Sequence, residues 1–360
     1  MKKILHIIDN FGEGAGAEHI LLGTLNNLKG YENYLLYFNK PDGLLRKLTA
    51  PVNIIFYPVN GKLDMVKAAY YVKKVVADNK IDIVHAHLTQ SIIITKFARL
   101  KSIPVFITYH SIIFQKYKWG PIPTLPYLAH LLSHKKNQVS IGVSNAVLDE
   151  LKKKFGVNED IHTVHNFIDK KFFQSRLASS KKNNVFKIIC VGNIRVEKNF
   201  DLIFDAFKSK FKHQQNVELD VWGANRTSIN YQSQLKQEGV HNVHLKGPGA
   251  DIAELMPLYD LFISSSRYES FGISVLEAMA CGVPVLLSDI PAFKELYTGY
   301  ATFFKSRSVG DFTNKLNAIL YDPKNLEEMK TNAFNYAKKF SVQNTTNALV
   351  RLYKNYSSEL

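Results

Sequence analysis

Cysteine is nearly absent: the 360 residues hold two, Cys190 and Cys281. That excludes a disulfide framework, and no Cys/His group has zinc spacing, so the expected setting is a reducing one, the cytoplasm. Long apolar runs are missing too, and none approaches the ~20 residues that cross a bilayer. The basic start "MKKILHIIDN" has five apolar residues before Asp9, too few for a secretory h-region. There is no low-complexity tract. No D-x-D pair follows a strand-like run, so a Mg²⁺ or Mn²⁺ clamp has no evident ligands and no metal or cofactor is expected.

The chain is longer than one core usually supports, which points to two domains. With 46% hydrophobic and 21% charged residues it has the composition of an ordinary globular protein. The net charge of +15 is uneven: residues 1–180 hold 24 Lys/Arg against 13 Asp/Glu, and residues 181–360 hold 22 against 18. A basic first half suits nucleic acid, an anionic membrane surface or an anionic substrate. An AT-rich genome favouring Lys and Asn explains it equally. No nucleic-acid reading motif is present and the basic residues are dispersed, so nucleic acid is not expected as a partner.

Short apolar runs alternate with segments of helical period. Strands are expected at 3–8, 33–38, 53–57, 82–85, 104–108, 139–143 and 162–165, with helices at 17–28, 64–79, 90–101 and 145–155. Residues 174–186, "QSRLASSKKNNVF", are polar and unpatterned, a linker. The rhythm then restarts with strands at 187–192, 217–222, 242–245, 260–264 and 284–288 and helices at 199–211, 228–237, 251–256 and 272–281. Further helices are expected within 324–356. This is the α/β pattern of two Rossmann-like domains with parallel sheets facing across a cleft. The boundaries are 1–173, linker 174–186, and 187–341. Ligands then belong at the carboxyl ends of strands.

The densest constellation is "DLFISSSRYESFGISVLEAMACGVPVLLS", 260–288. A strand leads to a polar loop, and a helix opens near Gly272 and stops before Gly282 and Pro284. Glu277 sits among Val275, Leu276, Ala278, Met279 and Ala280, where a carboxylate is costly unless it is partnered or faces a cavity. It follows Ile273 by one turn. A diphosphate on the N–H groups of Phe271, Gly272 and Ile273 would leave Glu277 at the height of two ribose hydroxyls. Glu269, eight positions earlier, would reach the group beyond the phosphates. Alternatively, Glu277 is a structural anchor and Glu269 a surface residue.

This stretch closely resembles the E-x7-E signature of retaining glycosyltransferase family four, whose members have the GT-B fold. The surrounding E-S-F-G-x-x-x-x-E-A-M-A-x-G-x-P-V pattern matches almost letter for letter. The resemblance implies that Glu277 binds the nucleotide ribose, that Glu269 contacts the donor sugar, and that the Ser270–Ile273 backbone holds sugar and diphosphate. "CVGNIRVEKNF", 190–200, follows the family variant G-N-L-R-x-x-K-N, which puts Arg195 and Lys198 at the diphosphate. Two fixed cations there would stabilise the departing anion.

The first half matches more loosely through "DIVHAHLTQS", "PVFITYHSI", "VSIGVSNAV" and "VHNFID". His110 aligns with a histidine near the transferred sugar, and His87 with a second landmark. Phe167 replaces the usual glycine after Asn166, so the turn there must differ. The opening loop "DNFGEGAGAE" has the register Gly12-x-Gly14-x-x-Ala17 of a dinucleotide fingerprint. Asp9, Asn10 and Phe11 nevertheless separate Gly12 from the expected strand, and the second strand ends "YFNK" with no acidic residue for a ribose. The loop is similar instead to the family's G-G-x-E turn. That places Gly16 against the donor and leaves Gly12 and Gly14 to supply flexibility.

The expectation is thus a metal-independent retaining glycosyltransferase. It moves a sugar from a nucleotide-sugar donor, most simply a UDP-sugar, to a glycan or glycolipid acceptor in cell-surface polysaccharide or glycolipid synthesis. Glu269 and His110 stand at the sugar, with Gly16, Arg195, Lys198, Ser270, Phe271, Gly272, Ile273 and Glu277 on the donor. The resemblance also implies that the last helix, about 342–360, crosses back to the first domain. A sugar-nucleotide epimerase on the same fold is the alternative, and a basic nucleic-acid-binding protein the remaining one. The basic, aromatic segment 112–136, with Lys116, Tyr117, Lys118 and Trp119, suits the inner face of an anionic membrane or a plain acceptor-side loop.

Overall fold

The computed structural model describes residues 1–13, 16–111, 137–156, 160–175 and 185–357. Gly14, the segment 112–136 and most of the expected linker lie outside them. The chain divides into two compact units, Met1–Phe167 with Val342–Leu360, and Ile168–Ser341.

In the first unit, strands β1 (Lys2–Asn10), β2 (Tyr31–Asn39), β3 (Val52–Phe56), β4 (Ile83–His87), β5 (Val105–Tyr109), β6 (Gln138–Gly142) and β7 (Ile161–Thr163) are all parallel, in the order β3-β2-β1-β4-β5-β6-β7. Ile4 to Ile8 are buried without a break, the signature of a strand covered on both faces. Helices α1 (Gly16–Asn27), α2 (Lys62–Asn79), α3 (Thr89–Ala98) and α4 (Asn145–Phe155) provide crossovers. The side chain of Ser144 caps α4, accepting from the Val147 N–H at 3.4 Å. The last helix, α13 (Val342–Ser357; the helices between are given below), buries Leu349 and Tyr353 against Ile4, Ile83, Phe106 and Ile141. Burial of a side chain of that size contributes about 2–3 kcal/mol. Phe167, the residue in place of glycine, packs against α1: a Cβ on Gly23 would stand 2.3 Å from its Cζ.

In the second unit, β8 (Phe186–Val191), β9 (Val217–Trp222), β10 (Val243–Gly247), β11 (Leu261–Ser264), β12 (Val285–Ser288) and β13 (Thr302–Phe304) pair in parallel, in the order β10-β9-β8-β11-β12-β13. The helices are α5 (Lys170–Ser175), α6 (Phe200–Ala206, prolonged by a π-turn over Phe207–Phe211), α7 (Tyr231–Gln237), α8 (Ile252–Leu255), α9 (Ile273–Ala280), α10 (Pro291–Tyr297), α11 (Val309–Leu320) and α12 (Pro323–Ala337). Each sheet is a doubly wound Rossmann-like layer. The strand order reverses at β1/β4 in one and at β8/β11 in the other, so the loops after those strands are the places for ligands.

The structure corrects the sequence reading in places. The division falls at 167/168 rather than 173, because α5 packs with the second unit. The Lys171 Nζ lies 3.1 Å from Asp251, and the Cys281 thiol donates to the Phe172 carbonyl at 3.3 Å. Strand β13 and helices α10 and α11 were not expected. β1 runs through Asn10, so only Phe11 separates it from Gly12, and one argument against the dinucleotide fingerprint falls. The other stands, since β2 ends at Asn39. Gly12 is better explained by crowding than by flexibility: a Cβ there would lie 2.7 Å from Pro41 Cγ.

Candidate active site

In the second unit the loops after β8 and β11 are bound to one another. Gly223, with φ +146°, lets the chain after β9 pass the β8 loop; its Cβ would lie 2.2 Å from the Gly192 carbonyl oxygen. The Ser265 hydroxyl donates to the carbonyls of Lys198 (2.8 Å) and Asn199 (2.9 Å). The Arg267 N–H donates to the Glu197 carbonyl at 2.8 Å. Ser288 donates to the Ser266 carbonyl at 2.6 Å. These ties fix Lys198 beside Glu269, and the two form an ion pair through Nζ and Oε1. The Ser266 hydroxyl donates to the same oxygen at 3.2 Å. Arg195 opens the short 3-10 turn Val196–Lys198; its side chain is 42% exposed and its guanidinium lies 3.8 Å from Glu197.

α9 begins where expected. Gly272 caps it at φ +79°, and a Cβ there would be 2.6 Å from Phe293 Cε1, so only glycine fits. The buried Tyr297 hydroxyl donates to the Phe271 carbonyl at 2.8 Å and lies 3.3 Å from that of Gly272. Since C=O and N–H point opposite ways across a trans peptide, this turns the N–H groups of Gly272 and Ile273 away from Tyr297. First-turn amides have no intrahelical acceptor and carry the positive end of the helix dipole. Amides so placed are suited to an anion.

Ile273, Ser274 and Glu277 form the half-buried strip of α9, while Val275, Leu276, Ala278, Met279 and Ala280 are buried. No described residue donates a hydrogen bond to the Glu277 carboxylate. Burial pushes its pKa up to about 7; nearby Lys171 opposes this and Asp169 adds to it. A desolvated carboxylate without a partner is costly, and functional sites concentrate such groups.

At the corresponding end of the first sheet, period-two alternation puts His6, His85, His87 and Thr108 on one face. His85 meets the Tyr353 hydroxyl (2.5 Å) and Thr108 (2.7 Å) through its two nitrogens. His87 Nδ1 lies 3.2 Å from His110 Nε2, and its Nε2 lies 3.5 Å from His6 Nδ1. Burial holds His6 down at about 3 and His110 at about 4, and drives His85 and His87 well below the usual value. All four imidazoles are neutral near pH 7. Gly16 is the first residue of α1.

Residues 171–336 match the family model described as "Glycosyl transferases group 1", and residues 21–172 the one described as "Glycosyltransferase Family 4". The chain belongs to glycosyltransferase family 4. It is similar to the N-acetyl-alpha-D-glucosaminyl L-malate synthase of Bacillus anthracis, 29% identical over 190 residues, which are 50% of this chain and 48% of that protein. The match thus spans about half the length of that relative. It is also similar to the UDP-Gal:alpha-D-GlcNAc-diphosphoundecaprenol alpha-1,3-galactosyltransferase of Escherichia coli, 24% identical over 296 residues, 74% of this chain and 75% of that one. Among solved structures, the Anabaena HepE protein in complex with UDP and glucose has a TM-score of 0.80 at 18% identity, covering 97% of this chain and 99% of that chain. That likeness establishes the GT-B fold.

In this family 4 chain the structure brings Lys198, Glu269 and the start of α9 into one neighbourhood of the second unit. His110 and Gly16 belong to the first. Sequence reading missed three groups. Asp9 accepts from the N–H (2.7 Å) and hydroxyl (2.7 Å) of Ser91 and from the Gln90 N–H (3.2 Å), capping α3. Glu18 is 4% exposed with Oε2 unpartnered among the described residues, and burial raises its pKa. His6, a lone polar residue inside an apolar strand, gave no signal beyond its type. Among the described residues, His6, His85 and His87 offer nitrogens within 4.8 Å of one another, the one set close enough for a metal. Both His85 nitrogens are already satisfied by hydroxyls, and the His85 and His87 rings lie tilted against each other with centroids 4.1 Å apart. The set does not fit a metal centre.

Proposed function

We propose that the chain transfers a glycosyl group from a nucleotide-sugar, in the first instance a UDP-sugar, to a hydroxyl of a glycan or glycolipid, with retention at the anomeric carbon. The observation carrying this reading is the Lys198–Glu269 pair beside the start of α9, with the unpartnered Glu277 one turn further along. The ribose hydroxyls donate to Glu277. The amides of Gly272 and Ile273, with Ser270 and Phe271 leading in, receive the diphosphate, and Arg195 and Lys198 face the same anion.

As the bond from the anomeric carbon to the phosphate oxygen breaks, positive charge grows on the sugar and negative charge on the nucleoside diphosphate. Fixed cations and oriented amides stabilise the second charge without reorganising. Glu269 accepts hydrogen bonds from the sugar and holds Lys198 in place. The acceptor oxygen bonds to the anomeric carbon on the departing face, and its proton passes to the leaving phosphate, so no protein nucleophile is needed. His110 of the first unit is a neutral hydrogen-bonding group suited to a sugar hydroxyl. The reaction needs no metal.

Steady-state kinetics with a panel of nucleotide-sugars test this. Glu269→Ala lowers kcat, Glu277→Ala raises the donor Kd, and a chelator changes neither; wild-type turnover in both variants removes the site.

A further inference from the structure

The second unit has a hollow at the end of its sheet remote from Lys198 and Glu269. Its volume is about 270 Å³, and its lining includes Phe186, Gln214, Asn216, Asp260, Leu320 and Tyr321. Phe186 opens β8, Asn216 leads into β9, Asp260 precedes β11, and Leu320 ends α11. The loops carrying Lys198 and Glu269 follow the far ends of β8 and β11, so the six residues of β8 set the hollow about 20 Å from them. Tyr321 is 77% exposed, more than any other large apolar side chain described in this unit. The walls are tied together. The Phe186 N–H donates to the Asn216 carbonyl at 2.7 Å, and the Lys187 N–H to the Asp260 carboxylate at 2.8 Å. The Asn242 amide donates to the carbonyls of Phe211 (2.8 Å), Gln214 (3.3 Å) and Val217 (3.0 Å), which clamps the turn bearing Gln214 and Asn216. Among the described residues, the side-chain amides of those two and the Tyr321 hydroxyl make no hydrogen bond.

We infer that this hollow is a glycan-binding subsite, apart from the reaction site, which seats one neutral pyranose ring of an oligosaccharide. A pyranose presents two surfaces. Its C–H bonds, slightly positive, pack on the negative face of an aromatic ring. Its hydroxyls, donor and acceptor at once, pair with planar amides and carboxylates. The lining meets the first with Tyr321 and the second with Gln214, Asn216 and Asp260. A volume just under the roughly 300–1,000 Å³ of drug-sized pockets suits a single ring rather than a nucleotide. Asp260, the one acidic or basic residue of the described lining, disfavours a phosphate or an acidic sugar. An apolar guest would cover the amides of Gln214 and Asn216 without pairing them. Because the walls are already fixed, little ordering has to accompany binding. Neither a donor nor turnover is involved, so the inference goes beyond the proposed reaction and stands or falls separately from it.

Saturation-transfer NMR of the full chain tests it, with both methyl glycosides of glucose, galactose, mannose and N-acetylglucosamine as probes. The wild type transfers saturation to at least one of these sugars. Tyr321→Ala weakens affinity for that sugar about tenfold, whereas Tyr321→Phe, which keeps the ring, stays within about threefold. Asn216→Ala and Gln214→Ala each weaken it about fivefold. Glu269→Ala leaves the signal unchanged. Unchanged melting shows that the variants fold; should Gln214→Ala not, the exposed positions Tyr321 and Asn216 decide. The inference is overturned if none of the sugars receives saturation, or if Tyr321→Ala and Asn216→Ala bind like the wild type. It is also overturned if Glu269→Ala removes the signal, since the sugar then sits at the reaction site.

Discussion

At the carboxyl end of the second sheet the polar groups are an ion pair, an exposed guanidinium and a carboxylate made costly by burial. At the same end of the first sheet they are four imidazoles that burial holds uncharged. The same doubly wound layer thus carries two chemistries. One presents charge, suited to an anion; the other offers neutral donors and acceptors, suited to hydroxyls. The contrast extends to proton linkage. A histidine with a lowered pKa stabilises the fold above its unfolded value, and that stability is lost as pH falls. A carboxylate with a raised pKa does the reverse: its contribution is complete below the unfolded value and is lost as pH rises through the folded one.

Acid therefore strikes the two units differently, and the largest effect falls on the first. Below the unfolded histidine value of 6.5, each buried imidazole removes on the order of 1 kcal/mol per pH unit, down toward about 3 for His6 and about 4 for His110. Hydrogen exchange at pH 7.5 and 5, corrected for intrinsic rates, should show β4 and β5 losing protection before β11 and β12. Equal loss in both sheets breaks the comparison.

The charged side is tested next by Lys198→Ala, which should lower kcat by about 10²–10³ as one fixed partner of the leaving anion disappears. Retained turnover would move the diphosphate elsewhere. Glu277→Gln is smaller and double-edged. The wild type loses stability between the unfolded value of 4.5 and the folded value of about 7. The variant should therefore be more stable at pH 8 by on the order of 1–3 kcal/mol, discounted for partial exposure, with no difference at pH 4. Thermal melts at the two pH values read this directly. Smallest is Tyr297→Phe. It removes the hydroxyl that holds the Phe271 carbonyl, lowers stability by about 1 kcal/mol and weakens nucleotide affinity a few-fold. Unaltered nucleotide affinity would make Tyr297 purely structural.

Much of this organisation was legible. The apolar run Ile4–Ile8 announced a strand covered on both faces, and the alternation of Val217, Leu219 and Val221 with Glu218 and Asp220 announced one buried mainly on one face. Glu277 was legible as a misfit in an apolar helix, and its half-buried strip with Ile273 follows from helical spacing. β13 escaped because three residues carry no period. The α5 boundary was lost because docking to Asp251 and Cys281 leaves no local trace. The Lys198–Glu269 contact spans 71 positions and depends on Ser265 and Ser288. Those serines look like ordinary loop residues until the loops are folded. The imidazole cluster draws on β1, β4, β5 and α13, and each histidine alone looks like a polar core residue.

The most direct test is calorimetric titration of the wild type and Glu277→Gln with UDP, alongside GDP and ADP, at pH 8. The account predicts that the wild type binds one of these nucleotides, and that the variant, though more stable, binds it about tenfold or more weakly because the ribose hydroxyls lose a charged acceptor. Equal affinity in the two proteins, or no nucleotide bound by the wild type, contradicts it.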